Sequence, residues 1–149
     1  MKENSTVKEQ SLNPQPSVRS KPQSEISETC ETLLDDRICA ALHAAGEKKA
    51  IEPVVLDLRD IASFTDYFVI VSGQNERQVQ AISDEIYEQL KKTGETAARV
   101  EGYKTAEWIL LDYGDFVVHV FEQKARMFYD LERLWRESKR VELPAEFRA

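Results

Sequence analysis

The chain has 149 residues, of which 42% are hydrophobic and 32% charged; Lys plus Arg number 20 against Asp plus Glu 27, a net charge of -7. This length suits one ordinary domain with an arm and leaves little room for two full cores. No apolar stretch approaches the roughly 20 residues that span a bilayer, and the acidic balance argues against a nonspecific duplex-DNA binder, whose phosphate contacts need concentrated positive charge. Binding to a basic protein within a nucleic-acid assembly stays open.

Composition changes near residue 29. Residues 1–29 hold no aromatic side chain and three of the five prolines, Pro14, Pro16 and Pro22. Lys2, Lys8, Arg19 and Lys21 balance Glu3, Glu9, Glu25 and Glu28. A neutral, polar segment with so little apolar mass reads as a disordered tail. The other 120 residues carry 16 basic and 23 acidic side chains, and so the whole net charge. The expected division is a tail at 1–29, a domain at 30–138 and a C-terminal extension at 139–149. The N-terminus has no secretory apolar region, and Glu3, Glu9, Glu25 and Glu28 make it poor for an organellar transit peptide, so the expected location is cytoplasmic.

A helix is predicted at about 31–45, where Leu33, Leu34, Ile38, Ala41, Leu42 and Ala45 recur on one face. Gly46 is the expected left-handed end. On that helix Cys30 and Cys39 would lie about 13.5 Å apart, beyond the roughly 7 Å reach of a disulfide, so both read as reduced thiols. Strands follow at about 53–58 and 67–72; their continuous apolar runs suit strands covered on both faces. Asn75 is a helix cap for a helix at about 76–92, with Val79, Ile82, Ile86 and Leu90 as its stripe and Gly94 as its stop. A short strand is predicted at Ala97–Val100. Glu107–Leu111 and Phe116–Phe121 form an antiparallel hairpin around Asp112-Tyr113-Gly114-Asp115. A last helix runs from about Lys124 to Ser138, seated by Phe128, Leu131, Leu134 and Trp135. The fold class is α/β, a small mixed sheet flanked by helices.

Few residue groups could carry chemistry. Ser72-Gly73 precedes a helix, where phosphate can bind, but Ser-Gly-Gln-Asn-Glu-Arg-Gln matches neither nucleotide-binding glycine motif. Asp57, Asp60 and Asp66 could meet at a sheet edge for Mg²⁺-assisted transfer, without a compact Asp-x-Asp pair. His43 reads as a helix-face residue. His119 lies in a strand and reads either as a cross-sheet hydrogen-bonding group or as a recognition group. There is no zinc spacing and no nucleophile elbow. The stronger signal is aromatic: Trp108 and Leu110 share one strand face, Ile109 and Leu111 the other, so the face without helices would offer a partner surface. Tyr103, Tyr113 and Tyr129 suit interfaces. Trp108 is balanced between interface and core, and Trp135 leans to core.

These runs together resemble the ribosomal silencing factor family, also called Iojap-like. The resemblance rests on Asp66-Tyr67-Phe68-Val69-Ile70-Val71-Ser72-Gly73, Glu101-Gly102, the run from Glu107 to Phe121, and Arg126-Met127-Phe128-Tyr129-Asp130-Leu131-Glu132-Arg133-Leu134-Trp135. It covers roughly residues 32–137. It implies a nucleotidyltransferase-like domain without the working metal-carboxylate site, hence no enzyme activity and no cofactor. It implies binding to the large ribosomal subunit through protein uL14 and steric blocking of 30S–50S association, lowering translation in stationary phase or nutrient shortage. The alternative is a Mg-dependent nucleotide-binding or nucleotidyltransferase enzyme.

The resemblance places Trp108 and Tyr113 at the apolar part of the partner interface, with Tyr129 alongside. Arg126 and Glu132 are the candidate polar contacts; Asp112 and Asp115 position the hairpin or meet basic groups. Little direct nucleic-acid binding and no membrane are expected. A homodimer is a second association that the exposed sheet surface permits.

Overall fold

The computed structural model describes Cys30 and residues 34–147. The chain separates into residues 1–32 and residues 33–149. The expected disordered tail lies outside the described residues, and every element named here belongs to the second unit.

Helix α1 (Asp36–Glu47) is capped by Asp35, whose carboxylate accepts the Arg37 N–H at 2.7 Å. It starts later than the predicted residue 31. Gly46 lies inside it, and the left-handed residue beyond its end is Lys49 (φ 65°). Both cysteines are disulfide-bonded, and among the described residues none is free. The reduced-thiol expectation assumed one helix through both positions; α1 starts six residues past Cys30, so that spacing does not apply.

Strands β1 (Ile51–Asp57) and β2 (Tyr67–Gly73) pair antiparallel, with a register shift between Ile51 and Val54. The shift falls beside Pro53, which has no N–H to give a ladder, and at Glu52, whose φ is +52°. Helix α2 (Glu76–Lys92) follows as predicted, capped by Asn75, with Val79, Ile82, Ile86 and Leu90 buried. Strands β3 (Arg99–Glu101), β4 (Trp108–Asp112) and β5 (Phe116–Glu122) come next, and β4 and β5 form the expected antiparallel hairpin.

The predicted last helix is broken. Helix α3 (Gln123–Tyr129) stops where Asp130 turns left-handed (φ 51°, ψ 52°), and α4 (Leu131–Leu134) restarts on a new axis. A short strand β6 (Lys139–Arg140) then joins the edge of β1. The Val141 N–H donates to Val55 O and Leu143 is buried, so this part of the expected extension is bound into the fold.

The six strands run in the order β3-β4-β5-β2-β1-β6, antiparallel except for the central β5–β2 pair. Register sorts their side chains into two faces. Ile109, Leu111, Phe116, Val118, Val120, Val69 and Val71 lie on the face where α2 packs, with α1 alongside α2. Trp108, Leu110, Val117, His119, Phe121, Phe68, Ile70, Val54 and Leu56 share the other. That second face is covered only in part, by Ala125, Leu131, Ala62 and Trp135 from short segments.

Candidate protein-binding face

The partly covered face carries a chain of aromatic rings. Phe64 meets Trp135 at 5.8 Å between centroids, Trp135 meets Phe68 at 5.6 Å, and Phe68 meets His119 at 4.4 Å. Across the sheet, Trp108 stacks on Phe121 at 4.9 Å and meets Tyr129 at 5.0 Å, and Tyr129 meets Phe128 at 5.1 Å. The chain is buried at Phe68, His119 and Phe121, half-buried at Trp108 and Trp135 and open at both ends: Phe64 is 60% exposed and Phe128 80%. Met127 (80%) and Leu134 (71%) are exposed as well. Exposed large apolar side chains of this kind suit a partner surface.

Local structure explains the exposure. Glu122 caps α3 by accepting from the N–H groups of Lys124 and Ala125, each at 3.1 Å. A continuous helix would have carried Phe128 and Leu134 on the face of Leu131, as the periodicity suggests. The break at Asp130 resets the phase, so Leu131 is buried while Phe128 and Leu134 turn outward. This corrects the expectation that both seat the helix on the core.

The predicted site residues are distributed unevenly over this surface. Trp108 and Tyr129 are in ring contact on it. Arg126 and Glu132 are paired with each other: Nε and Nη2 of Arg126 reach the two carboxylate oxygens of Glu132 at 3.2 and 3.1 Å. Nη1 donates to Glu52 O at 2.7 Å and to Ser72 Oγ at 2.9 Å. With 8% of its side chain exposed, Arg126 clamps α3 and α4 to the β1 bulge and to β2. Arg140 also pairs with Glu132, at 3.2 Å.

Tyr113 is on neither surface. It is 9% exposed and stacks on Phe116, which lies on the helix-covered face, at 5.0 Å and 12°. Its hydroxyl is buried without a partner, and burial pushes its pKa up to about 12. The turn thus directs inward the ring that the resemblance places at the partner interface. Asp112 accepts the Gly114 N–H at 2.9 Å and pairs with Arg99, so it shapes the hairpin turn. Asp115 accepts from Arg37 at 2.9 Å, tying the turn to α1.

His119, left between two readings by sequence, is a cross-sheet partner. Its Nδ1 accepts the Trp108 indole N–H at 3.0 Å. A neutral imidazole then carries its proton on Nε2, which is buried without a partner. Burial lowers its pKa to about 3. Phe64, Met127 and Phe128 are exposed here, over the buried Phe68, and were not singled out for a partner surface by sequence. The continuous apolar run of β2 suits burial on both faces, but nothing local shows that 58–64 and 127–135 converge on one of them.

The chemistry readings meet other arrangements. Asp57 is gripped by its neighbour Arg59 at 3.0 and 2.8 Å, and this hydrogen bonding holds its carboxyl below the usual range. Asp60 pairs with Lys139. At the α2 entry the Gln74 N–H donates to Gln78 Oε1 and the Gln78 N–H to Asn75 Oδ1, so donors a phosphate would use are engaged by the chain itself. Among the described residues no group of three or more His, Cys, Asp or Glu could hold a metal ion. Among them, too, no helix is long and apolar enough to cross a membrane.

Residues 32–149 match the family described as ribosomal silencing factor during starvation. A ribosomal silencing factor of Halalkalibacterium halodurans is 43% identical over 103 residues, 69% of this chain and 88% of that protein. One from Bacillus subtilis is 40% identical over 107 residues, 72% of this chain and 89% of that protein. A crystal structure of a Bacillus halodurans protein superposes with a TM-score of 0.66 at 40% identity, covering 74% of this chain and all of that one.

Proposed function

This chain belongs to the ribosomal silencing factor (Iojap-like) family, and on that premise we propose that it binds the large ribosomal subunit through protein uL14 and sterically blocks joining of the small subunit. The observation that carries the reading is the aromatic face running from Phe64 through Trp135, Phe68, His119, Trp108 and Tyr129 to Phe128. Large, rigid rings grouped on one half-covered sheet face are what a protein interface uses to gain affinity. The net charge of -7 assists encounter with a basic ribosomal protein and opposes extensive contact with rRNA phosphates.

The mechanism needs no bond to be made or broken. A bound domain occupying the joining face excludes the other subunit by volume alone, so lowered translation follows from occupancy. Trp108 is the central anchor and Tyr129 its neighbour, with Phe128 and Met127 as the outlying apolar contacts. Homodimerisation through the same apolar face would compete with ribosome binding.

The test is subunit association. Purified 30S and 50S subunits are mixed with increasing amounts of the protein, and 70S formation is followed by light scattering or sucrose sedimentation. Loss of 70S particles, with the protein co-sedimenting on 50S and cross-linking to uL14, is the expected result. Normal 70S formation at saturating protein refutes the proposal. Trp108→Ala should weaken 50S binding about 30-fold or more, the effect of losing an aromatic hot spot of about 2 kcal/mol, while its circular dichroism stays native.

A further inference from the structure

We infer that His119 is a positioning residue for Trp108: it takes the indole N–H inside the sheet, so that Trp108 presents only apolar surface to its partner. The inference rests on the proposed docking role of the Trp108 face and specifies its chemistry.

Register makes the pairing available. Trp108 lies opposite Phe121 and Leu110 opposite His119, so Trp108 and His119 are diagonal neighbours on one face of β4 and β5, within reach of two long rings. The indole Nε1–H is the only polar group Trp108 owns, and it donates to His119 Nδ1 at 3.0 Å. The imidazole is itself held, edge to face with Phe68 at 4.4 Å and 74°, and Phe68 is flanked by Trp135. With Phe121 stacked beneath it and Tyr129 beside it, the indole has few other orientations. Interface tryptophans commonly use the N–H to find an acceptor on the partner; here that donor is already engaged.

Two consequences follow for recognition. A partner group opposite Trp108 gains nothing by being a hydrogen-bond acceptor, so the contact favours aliphatic side chains or a flat stacking group. The indole is also ordered before contact, which lowers the cost of binding. His119 is 3% exposed and acts only through Trp108.

The experiment uses the full chain and purified 50S subunits. His119→Phe keeps a flat ring and removes the acceptor; His119→Asn places an amide oxygen near the position of Nδ1. The readouts are hydrogen exchange at the Trp108 indole N–H, followed by NMR and assigned with the Trp135→Phe spectrum, and affinity for 50S. In the unaltered protein the indole N–H should exchange slowly. His119→Phe should speed that exchange and weaken 50S binding about tenfold, and His119→Asn should recover much of both. Fast indole exchange in the unaltered protein overturns the inference even if a variant fails to fold. So does a folded His119→Phe chain that binds 50S like the unaltered protein while Trp108→Ala does not. If Trp108→Ala also binds normally, it is the docking role of this face that fails.

Discussion

Replacing Arg126 by Ala separates a structural role from a contact role. The guanidinium makes four hydrogen bonds, to both oxygens of Glu132, to Glu52 O and to Ser72 Oγ, with 8% of the side chain exposed. Removing one member of a buried, hydrogen-bonded pair costs about 3–5 kcal/mol, because its partners are left without compensation. Glu132 keeps Arg140 at 3.2 Å and is itself 24% exposed, so its carboxylate is not stranded. Ser72 is fully buried and loses its donor. The expected cost therefore lies at the low end, about 3 kcal/mol, or a fall in Tm of roughly 10–15 °C for a domain of this size. Urea and thermal unfolding followed by circular dichroism measure it. Glu132→Ala and the double variant complete a cycle whose coupling should exceed about 1 kcal/mol. A loss of stability below about 1 kcal/mol, with 50S binding strongly reduced, would refute the clamp and restore the reading of Arg126 as a direct partner contact.

Three further outcomes are expected. Gly102 has φ +82°, and a Cβ there would clash with the Trp108 carbonyl oxygen; Gly102→Ala should cost more than about 2 kcal/mol and weaken 50S binding by displacing the start of β4, and a wild-type Tm would contradict this. His119 in the unfolded chain takes up a proton near its ordinary value of 6.5, whereas the folded one resists until about 3, so the unfolded state binds more protons between these values. This group's contribution therefore falls as pH drops through that window, by up to about 1.4 kcal/mol per unit, and His119→Phe should lose less stability than the unaltered protein between pH 7 and pH 5; parallel losses would count against it. Asp35 is held below the usual carboxylate range chiefly by its side-chain hydrogen bond with Arg37, so its stabilisation is present above the ordinary carboxylate pKa and fades as pH falls through the lowered one. Asp35→Ala should cost about 1 kcal/mol at neutral pH through loss of the α1 cap, measured by urea unfolding, and an unchanged urea midpoint would disprove the capping role.

The sequence by itself determined the local elements. Apolar runs, alternation and helical spacing are properties of consecutive residues, so α2, its Asn75 cap, strands β2, β4 and β5 and the hairpin were legible without a structure. The placement of Trp108 and Leu110 on one face followed from the same two-residue period. Family membership, too, was legible in the ordered runs from Asp66 to Trp135. The tertiary structure decided what lies across from what. Asp130 bends left-handed with Arg126 clamped to Glu132, and β6 closes on β1 beside that clamp; an apolar repeat through residues 124–138 cannot register such a break. That break turned Phe128 outward, while stacking on Phe116 drew Tyr113 inward. Whether His119 faced solvent, core or partner depended on a strand eleven residues away, whose indole N–H satisfies Nδ1. Periodicity ranks residues by face, but only packing decides which face is covered and which polar group is already engaged.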